Sequence, residues 1–296
     1  MHDPLGPPIA AVRAAVARAL DEDLTPLGDL TSALLPRDLT ASADFVARAA
    51  GVLAGVDCAT EAFAQLDHSI DVTWFAADGD DVDAKQRLGR VTGPLAPILT
   101  AERTALNFLC HLSGIATTTR GFVRAANAAS ATGGAARIWD TRKTTPGLRS
   151  LEKAAVRAGG GVNHRGNLSD WVLLKDNHIA LLGIEEAVDR ARRTWPARTV
   201  HVECDDLSQV ERALSTGADA ILLDNMTVEE VVECVAAADR YGSSTGRRRP
   251  LLEVSGNVTL ESVGAYAATG VDCISSSSIT MSAPVLDIGL DVEVCA

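Results

Sequence analysis

The sequence predicts an α/β protein: an open or incomplete parallel α/β barrel (TIM-like) behind a smaller N-terminal α+β domain. Three observations predict it. From about residue 135 onward, short apolar, β-branched runs alternate with stretches of helical spacing. The runs are apolar throughout, as strands covered by helices on both faces must be. Nearly every run also ends in polar groups, and the carboxyl ends of the strands form the binding face of a parallel α/β fold.

In chain order, "MHDPLGPP" is a Pro-rich start, and "IAAVRAAVARALDEDL" after it reads as a short amphipathic helix. The start lacks the charged and apolar regions of a signal peptide. From about residue 24 to 112, "TASADFVARAAGVLAGVDCATEAFAQL", "IDVTWFAADGDDVDAKQRLGRVTGP" and "PILTAERTALNFLCHL" mix alternating strands and helices with Gly and Asp turns. That mixture is the mark of a small α+β domain. The expected division is therefore 1–112 and 113–296, with the first helix and the C-terminal tail packing near the former.

The second part begins with the helix-like "LCHLSGIATTTRGFVRAANAA". Six strand candidates follow, "ARIWDT", "WVLLKDN", "TVHVEC", "AILLDN", "LLEVSGN" and "VDCISSSS". Between them lie "GLRSLEKAAVRAG", "GIEEAVDRARRTW", "SQVERALSTG", "TVEEVVECVAAADRYG" and "LESVGAYAATG". Several of these start after Ser or Thr and stop at Gly, the ordinary helix signals. The strand ends carry Arg142 and Lys143, Lys175 and Asp176, Glu203, Asp224 and Asn225, Glu253 with Ser255, and Ser275 to Ser278. Lys and Glu flush against apolar strand residues are costly to half-bury without partners, which marks these ends as functional.

Composition narrows the partners. The 296 residues are 47% hydrophobic and 22% charged, as in an ordinary globular chain. Aromatic content of 4% and a net charge of −12 argue against nucleic acid and against a membrane surface. No apolar run is long enough to span a bilayer, and a cytoplasmic protein is expected. Six scattered cysteines (Cys58, Cys110, Cys204, Cys234, Cys273, Cys295) contain no C-x-x-C pair and read as buried or half-buried thiols in a reducing compartment. Against the acidic whole, eight cations face four acids between Arg137 and Asp176. Such asymmetry is expected of an electrostatic funnel for a small anion. "GRRRP" (246–250) reads as a solvated loop, and "AGGGV" (158–162), lacking a Walker lysine, as packing or tight-turn glycine.

The blocks "DTRKTTPGLRSLEKAAVRAGGGVNHR", "LLKDNHI", "VHVECDDLSQVERALSTGADAILLDN" and "LEVSGNVTLESVGAYAATGVD" closely resemble the quinolinate phosphoribosyltransferases. "GVLAGVDCATEAF", "DGDDV" and "LTAERTALNFLCHLSGIAT" match the family's N-terminal half, so the resemblance covers almost the whole chain. It implies conversion of quinolinate and phosphoribosyl pyrophosphate, with Mg²⁺, into nicotinate mononucleotide, CO₂ and pyrophosphate. It also implies a dimer or higher oligomer whose site is shared between subunits.

On that resemblance, Arg142 and Arg165, with Thr141 and His164 beside them, are expected on the quinolinate carboxylates, which guanidinium forks match bidentately. Arg103 is expected to reach them from the neighbouring subunit. Lys143 and Lys175 would serve the pyrophosphate and substrate carboxylate. Glu203 and Asp224 would face Mg²⁺-pyrophosphate or the ribose hydroxyls, although a carboxylate at a strand end can also simply cap the next helix. Lys143, Lys175, Glu203 and Asp224 form the expected catalytic set. Ser255, Gly256 and Asn257 are expected to begin a helix whose N–H groups hold the ribose 5′-phosphate, together with Ser275, Ser277 and Ser278. Asn177 and His178 are expected to orient Lys175. One departure stands out: "SSSSITMS" puts Ser277 where the family has Gly and Met281 where it has His. The competing readings are a paralogue acting on another pyridine or azine carboxylate, a Schiff-base aldolase using Lys175, and a non-catalytic phosphate sensor.

Overall fold

A computed structural model describes residues 6–129 and 136–295; residues 1–5, in the Pro-rich start, and the side chain of Cys295 lie outside the described part. Contacts divide the chain into two units, 1–120 with 144–160 and 279–296, and 121–143 with 161–278. The expected cut at 112/113 falls inside one continuous helix, and the first unit gathers three separate segments of the chain.

The first unit holds α1 (Ile9–Leu24), β1 (Thr40–Ala47), β2 (Gly51–Val52), α2 (Val56–Leu66), β3 (Asp71–Trp74), β4 (Asp81–Val82) and β5 (Arg87–Pro94). The helix α3 (Leu95–Ala129) begins here, and α4 (Arg149–Ala158) belongs here too. A last strand, Ile288–Cys295, pairs antiparallel with β1, giving a four-stranded sheet in which β1 and β3 flank β5. The period-2 pattern of β1 turns Ala41, Ala43, Phe45 and Ala47 inward. There Phe45 stacks on Trp74 at 4.8 Å and meets the edge of Phe63 at 6.0 Å. Ala and Phe on one face supply the core that this small sheet needs to stand against a helix.

The second unit is a six-stranded, all-parallel sheet. Its strands are β6 (Arg137–Trp139), β7 (Val172–Leu174), β8 (Val200–Cys204), β9 (Ala220–Asp224), β10 (Leu251–Ser255) and β11 (Cys273–Ser275). Their order is β6-β11-β10-β9-β8-β7, which is chain order around a ring with one joint missing. Among the described residues no ladder joins β6 to β7. Instead a parallel bridge pairs Trp139 with Val162, so the segment leading to β7 lies along β6. Val162 N–H donates to Ile138 C=O at 2.8 Å, and Asp140 N–H to Val162 C=O at 3.2 Å. The barrel is open at this joint.

Helix α5 (Asp176–Leu182) follows β7 and buries no side chain of its own, while α6 (Ile184–Thr194), α7 (Leu207–Thr216), α8 (Val228–Thr245) and α9 (Val263–Ala267) cover the strands. In α6, Ile184, Ala187, Val188 and Ala191 recur at helical spacing and are buried. Its first turn carries Glu185 and Glu186 and its last Arg192 and Arg193, matching the helix dipole. Two sequence readings change. The helix after β10 does not begin at Ser255 but at Val263. And Arg249 of "GRRRP" is not a free solvated cation: its guanidinium donates to Asp272 at 2.7 Å and pairs with Asp239 at 3.0 Å.

Candidate active site

Polar side chains gather at the carboxyl ends of the second unit's strands because a parallel sheet leaves its backbone ends and following loops there. β6 delivers Asp140, which is wholly buried, then Thr141, Arg142 and Lys143. The Thr141 hydroxyl accepts the Lys143 N–H at 3.0 Å, closing a tight turn. Asp140 anchors the opposite side of the open joint. One of its oxygens accepts the His164 N–H at 2.8 Å and the other the Asn163 amide at 2.7 Å. A single carboxylate thus binds the segment carrying His164 and Arg165 to the chain leaving β6, which carries Arg142.

Arg165 is buried, and its Nη1 donates to Trp171 C=O at 3.3 Å while its Nε has no hydrogen-bond partner among the described residues. Its pKa is lowered by burial and then by the nearby positive charge of Arg142, against the pull of Asp170 and Glu203. Two guanidinium groups within each other's field, one of them desolvated, is an unfavourable arrangement unless an anion joins them. Glu203 at the end of β8 pairs with the ammonium of Lys175, which stands after β7. His178 Nδ1 accepts the Lys175 N–H at 3.2 Å, so His178 does orient the lysine's turn. A Schiff-base lysine is activated by desolvation or a neighbouring cation. Lys175 is instead half-exposed and faces a carboxylate.

Asp224 ends β9 beside Ser255 on β10, and one of its oxygens accepts the Asn225 amide at 2.7 Å. Neither Glu203 nor Asp224 caps the following helix. Asp206 caps α7 by accepting Gln209 N–H at 2.8 Å, and Thr227 caps α8 in a capping box with Glu230. Both carboxylates are therefore left for the mouth.

The expected phosphate cradle is reshaped. Ser255 is the last residue of its strand, and Gly256 (φ +93°) and Asn257 (φ +50°) turn the chain through left-handed conformations instead of starting a helix. A Cβ on Gly256 would lie 2.9 Å from Asn225 N and nearer still to its side-chain oxygen. The Asn257 amide donates to that same oxygen at 3.2 Å. Ser275 ends β11, buried, and Ser277 keeps an ordinary φ despite replacing a glycine. The hydroxyls of Ser276 and Ser278 share a hydrogen bond at 2.7 Å, and Ser276 also donates to Val258 C=O at 3.0 Å. Met281 is exposed. In the first unit Arg103 stands exposed on α3, and Gly159 packs against α3, where a Cβ would lie 2.6 Å from Thr119 Cβ.

The sequence reading named Glu253 as a strand-end group, but it lies two residues before the end of β10, inside the barrel and buried. The same reading named His164 but passed over Trp171 and His201, whose rings pack beside it. His164, Trp171 and His201 contact one another, with Trp171 stacked on His201 at 5.0 Å, and Trp139 meets the edge of His164 at 5.6 Å. Burial pushes His201 down to about 4 against the opposing pull of the Glu253 carboxylate, leaving a neutral ring. The one sequence signal was the polar or aromatic residue breaking each apolar strand run.

The chain matches family models described as the quinolinate phosphoribosyl transferase N-terminal domain over residues 29–113 and C-terminal domain over 115–291. It belongs to the quinolinate phosphoribosyltransferase family. It is 41% identical to the nicotinate-nucleotide pyrophosphorylase [carboxylating] of Mycobacterium leprae, over 95% of this chain and 97% of the relative. It is 36% identical to quinolinate phosphoribosyltransferase [decarboxylating] 1b of Nicotiana tabacum, over 97% and 83%. Among solved structures, the nicotinate-nucleotide pyrophosphorylase of Francisella tularensis superposes with a TM-score of 0.88 at 38% identity, covering 97% of each chain. The family's fold accounts for the open barrel and the separate antiparallel sheet. Among the described residues no helix is long and apolar enough to cross a membrane.

Proposed function

We propose that this chain transfers the phosphoribosyl group of phosphoribosyl pyrophosphate to quinolinate, yielding nicotinate mononucleotide, CO₂ and pyrophosphate on the route to NAD. The observation that carries the reading is the desolvated Arg165 guanidinium held in the field of Arg142 at the barrel mouth. A flat dicarboxylate between two forks neutralises both, and bidentate geometry fixes the ring's orientation. His164, Thr141 and the exposed Lys143 border this place.

With the ring fixed, its nitrogen forms a bond to the anomeric carbon of the ribose as the pyrophosphate C–O bond breaks. Glu203 and Asp224 offset the positive charge that develops at that carbon, and Lys143 and Lys175 offset the negative charge of the departing pyrophosphate. The ring nitrogen is now quaternary. Loss of the adjacent carboxylate as CO₂ leaves an electron pair on carbon beside the cationic nitrogen, and a proton then occupies it. Little acid–base machinery is required; orientation and charge neutralisation do most of the catalysis. Glu203 and Asp224 offer the oxygen donors that suit Mg²⁺, which takes one or two carboxylates and leaves its remaining positions to water and phosphate. When bound, Mg²⁺ would neutralise pyrophosphate oxygens.

Ser255, Gly256, Asn257, Ser275, Ser277 and Ser278 hold the 5′-phosphate, with serine hydroxyls donating where the family uses glycine N–H groups. The working form is a homodimer or higher oligomer in which Arg103 enters the neighbouring site. Five free thiols among the described cysteines suit the reducing cytoplasm.

The test is a coupled assay of quinolinate, phosphoribosyl pyrophosphate and Mg²⁺. Release of CO₂ and pyrophosphate in equal amounts, abolished by chelation and restored by Mg²⁺, is expected. Turnover of nicotinate without CO₂ release would replace quinolinate as the substrate. Mixing inactive Arg103→Ala and Lys175→Ala proteins should restore part of the activity if the site is shared, and none if each chain works alone.

A further inference from the structure

Beside the ion pair of Glu203 in the second unit, three ligand-bearing side chains converge, and two of them, His201 and Glu253, have no part in the proposed reaction. His201 precedes Glu203 by two residues on β8, and Glu253 on β10 lies in register with the same residue of β9, Leu222, as Glu203 does. His164 approaches from the segment bridging β6. All three are buried, with His201 4% and Glu253 1% exposed. One donor atom of each lies within 4.8 Å of the others, and His164 Nε2 is 3.5 Å from Glu253 Oε2. Among the described residues neither oxygen of Glu253 has a hydrogen-bond partner, nor has His201 Nδ1.

A carboxylate taken out of water with no hydrogen bond costs several kcal/mol, and such groups are retained where something compensates them. A compensator that reaches all three would accept lone pairs from two imidazoles and one carboxylate. Magnesium and calcium prefer all-oxygen shells. Two nitrogens and one oxygen are instead the donor set of zinc and its first-row neighbours, and His₂Glu leaves a fourth position for water. Donors about 2.0–2.1 Å from a tetrahedral ion are about 3.4 Å apart, close to the His164–Glu253 separation. Trp171 stacks on His201 and meets the edge of His164 at 4.9 Å, so one indole braces both rings. Packing that fixes ligand rings this way is how outer residues tune metal sites.

We propose that His164, His201 and Glu253 bind one divalent transition ion of the zinc class inside the barrel, separate from the Mg²⁺ position at its mouth. The ion neutralises Glu253, joins β8, β10 and the bridging segment, and fixes the backbone from which Arg165 projects.

The test uses the full chain, stripped by chelator and dialysed against Co²⁺ in a large excess of Mg²⁺. One Co²⁺ per chain with the intense visible bands of a tetrahedral centre is expected. His201→Leu and Glu253→Gln should each weaken binding about tenfold or more and bleach those bands, whereas Glu203→Gln should leave them. A circular dichroism spectrum matching the parent protein qualifies each variant. Anomalous scattering from crystals grown with Zn²⁺ gives a second readout, with a peak among the three side chains. Absence of stoichiometric Co²⁺, bands unchanged in both variants, or a zinc peak elsewhere would each overturn the proposal.

Discussion

Replacing Asp140 by asparagine changes one charge and almost no volume, yet it should loosen the whole substrate side of the barrel. The Asp140 side chain is fully buried and accepts two N–H groups, from the His164 backbone at 2.8 Å and the Asn163 amide at 2.7 Å. An asparagine can present only one acceptor, so its own NH₂ must face one of those donors. A hydrogen bond to a buried charged group is worth about 1.5–3 kcal/mol, and an orphaned buried donor costs about 1–3 kcal/mol. The Asn163 side chain can flip its amide and recover part of this, whereas the His164 backbone cannot. The expected loss is about 2–4 kcal/mol, measured by urea unfolding of the second unit's tryptophans. Because Arg165 follows His164 directly, kcat/KM for quinolinate should also fall by about ten- to a hundredfold. Asn163→Ala should cost much less in the Asp140→Asn background than in the parent, since the pair acts together. An Asp140→Asn protein that unfolds at the parent's urea midpoint, with kcat/KM within twofold, would refute the idea that this carboxylate holds the joint.

Arg165→Ala should lower kcat/KM for quinolinate by about a hundredfold or more, and Arg165→Lys should recover only part, because an ammonium keeps the charge but loses the fork. A less than threefold effect of Arg165→Ala would remove this residue from the substrate. Gly256→Ala should raise KM for phosphoribosyl pyrophosphate and lower the melting temperature, since φ +93° and the backbone of Asn225 leave no room for a Cβ; unchanged KM would show that this turn is not the cradle. In the first unit, hydrogen bonds from Ser32, with those from Thr100 and Thr31, hold Asp29 at about 2 despite partial burial. Its folded value lies below its unfolded one, so it stabilises the fold above about pH 4, and that contribution disappears as pH falls toward 2. Asp29→Asn should flatten the acid limb of the stability curve, and an identical limb in the variant would contradict this.

What the sequence revealed depended on how local each signal was. Apolar runs punctuated by polar ends are written within a few residues, so the six strands, their parallel order and the mouth carrying Lys175, Glu203 and Asp224 could be read directly. The turn at Ser255–Asn257 was misread because Ser-Gly-Asn is compatible with both a helix start and a left-handed turn. Asn225, on another loop, decides between them by occupying the space beside Gly256. Similarly, the run of α4 reads as a barrel helix by periodicity, yet its residues belong to the first unit. There the wholly buried Glu152 accepts His111 at 2.9 Å and the N–H of Thr145.

The interior polar cluster was invisible for a stronger reason. His201 and Glu253 are about fifty residues apart and come near each other only because β9 joins their strands, with Glu253 level with Glu203, two residues after His201. Nothing in "TVHVEC" distinguishes a histidine pointing into a barrel from one facing water. The same long-range pairing explains the mouth's electrostatics. An acidic protein holds Arg165 buried, near Arg142, with Glu203 and Asp170 as partial compensation. The fold has already met the cost of bringing the cations together and drying one of them, so on the proposed reading a dianionic ring would arrive at dipoles and charges that need no rearrangement. Preorganisation of that kind is worth more than the same charges in water, because the low-dielectric surroundings strengthen each contact made in the transition state. A free Arg165 side chain reaching solvent would bind quinolinate more weakly and orient it less. This is why the Asp140 joint, through the segment it holds, should register in catalysis as clearly as the arginine itself.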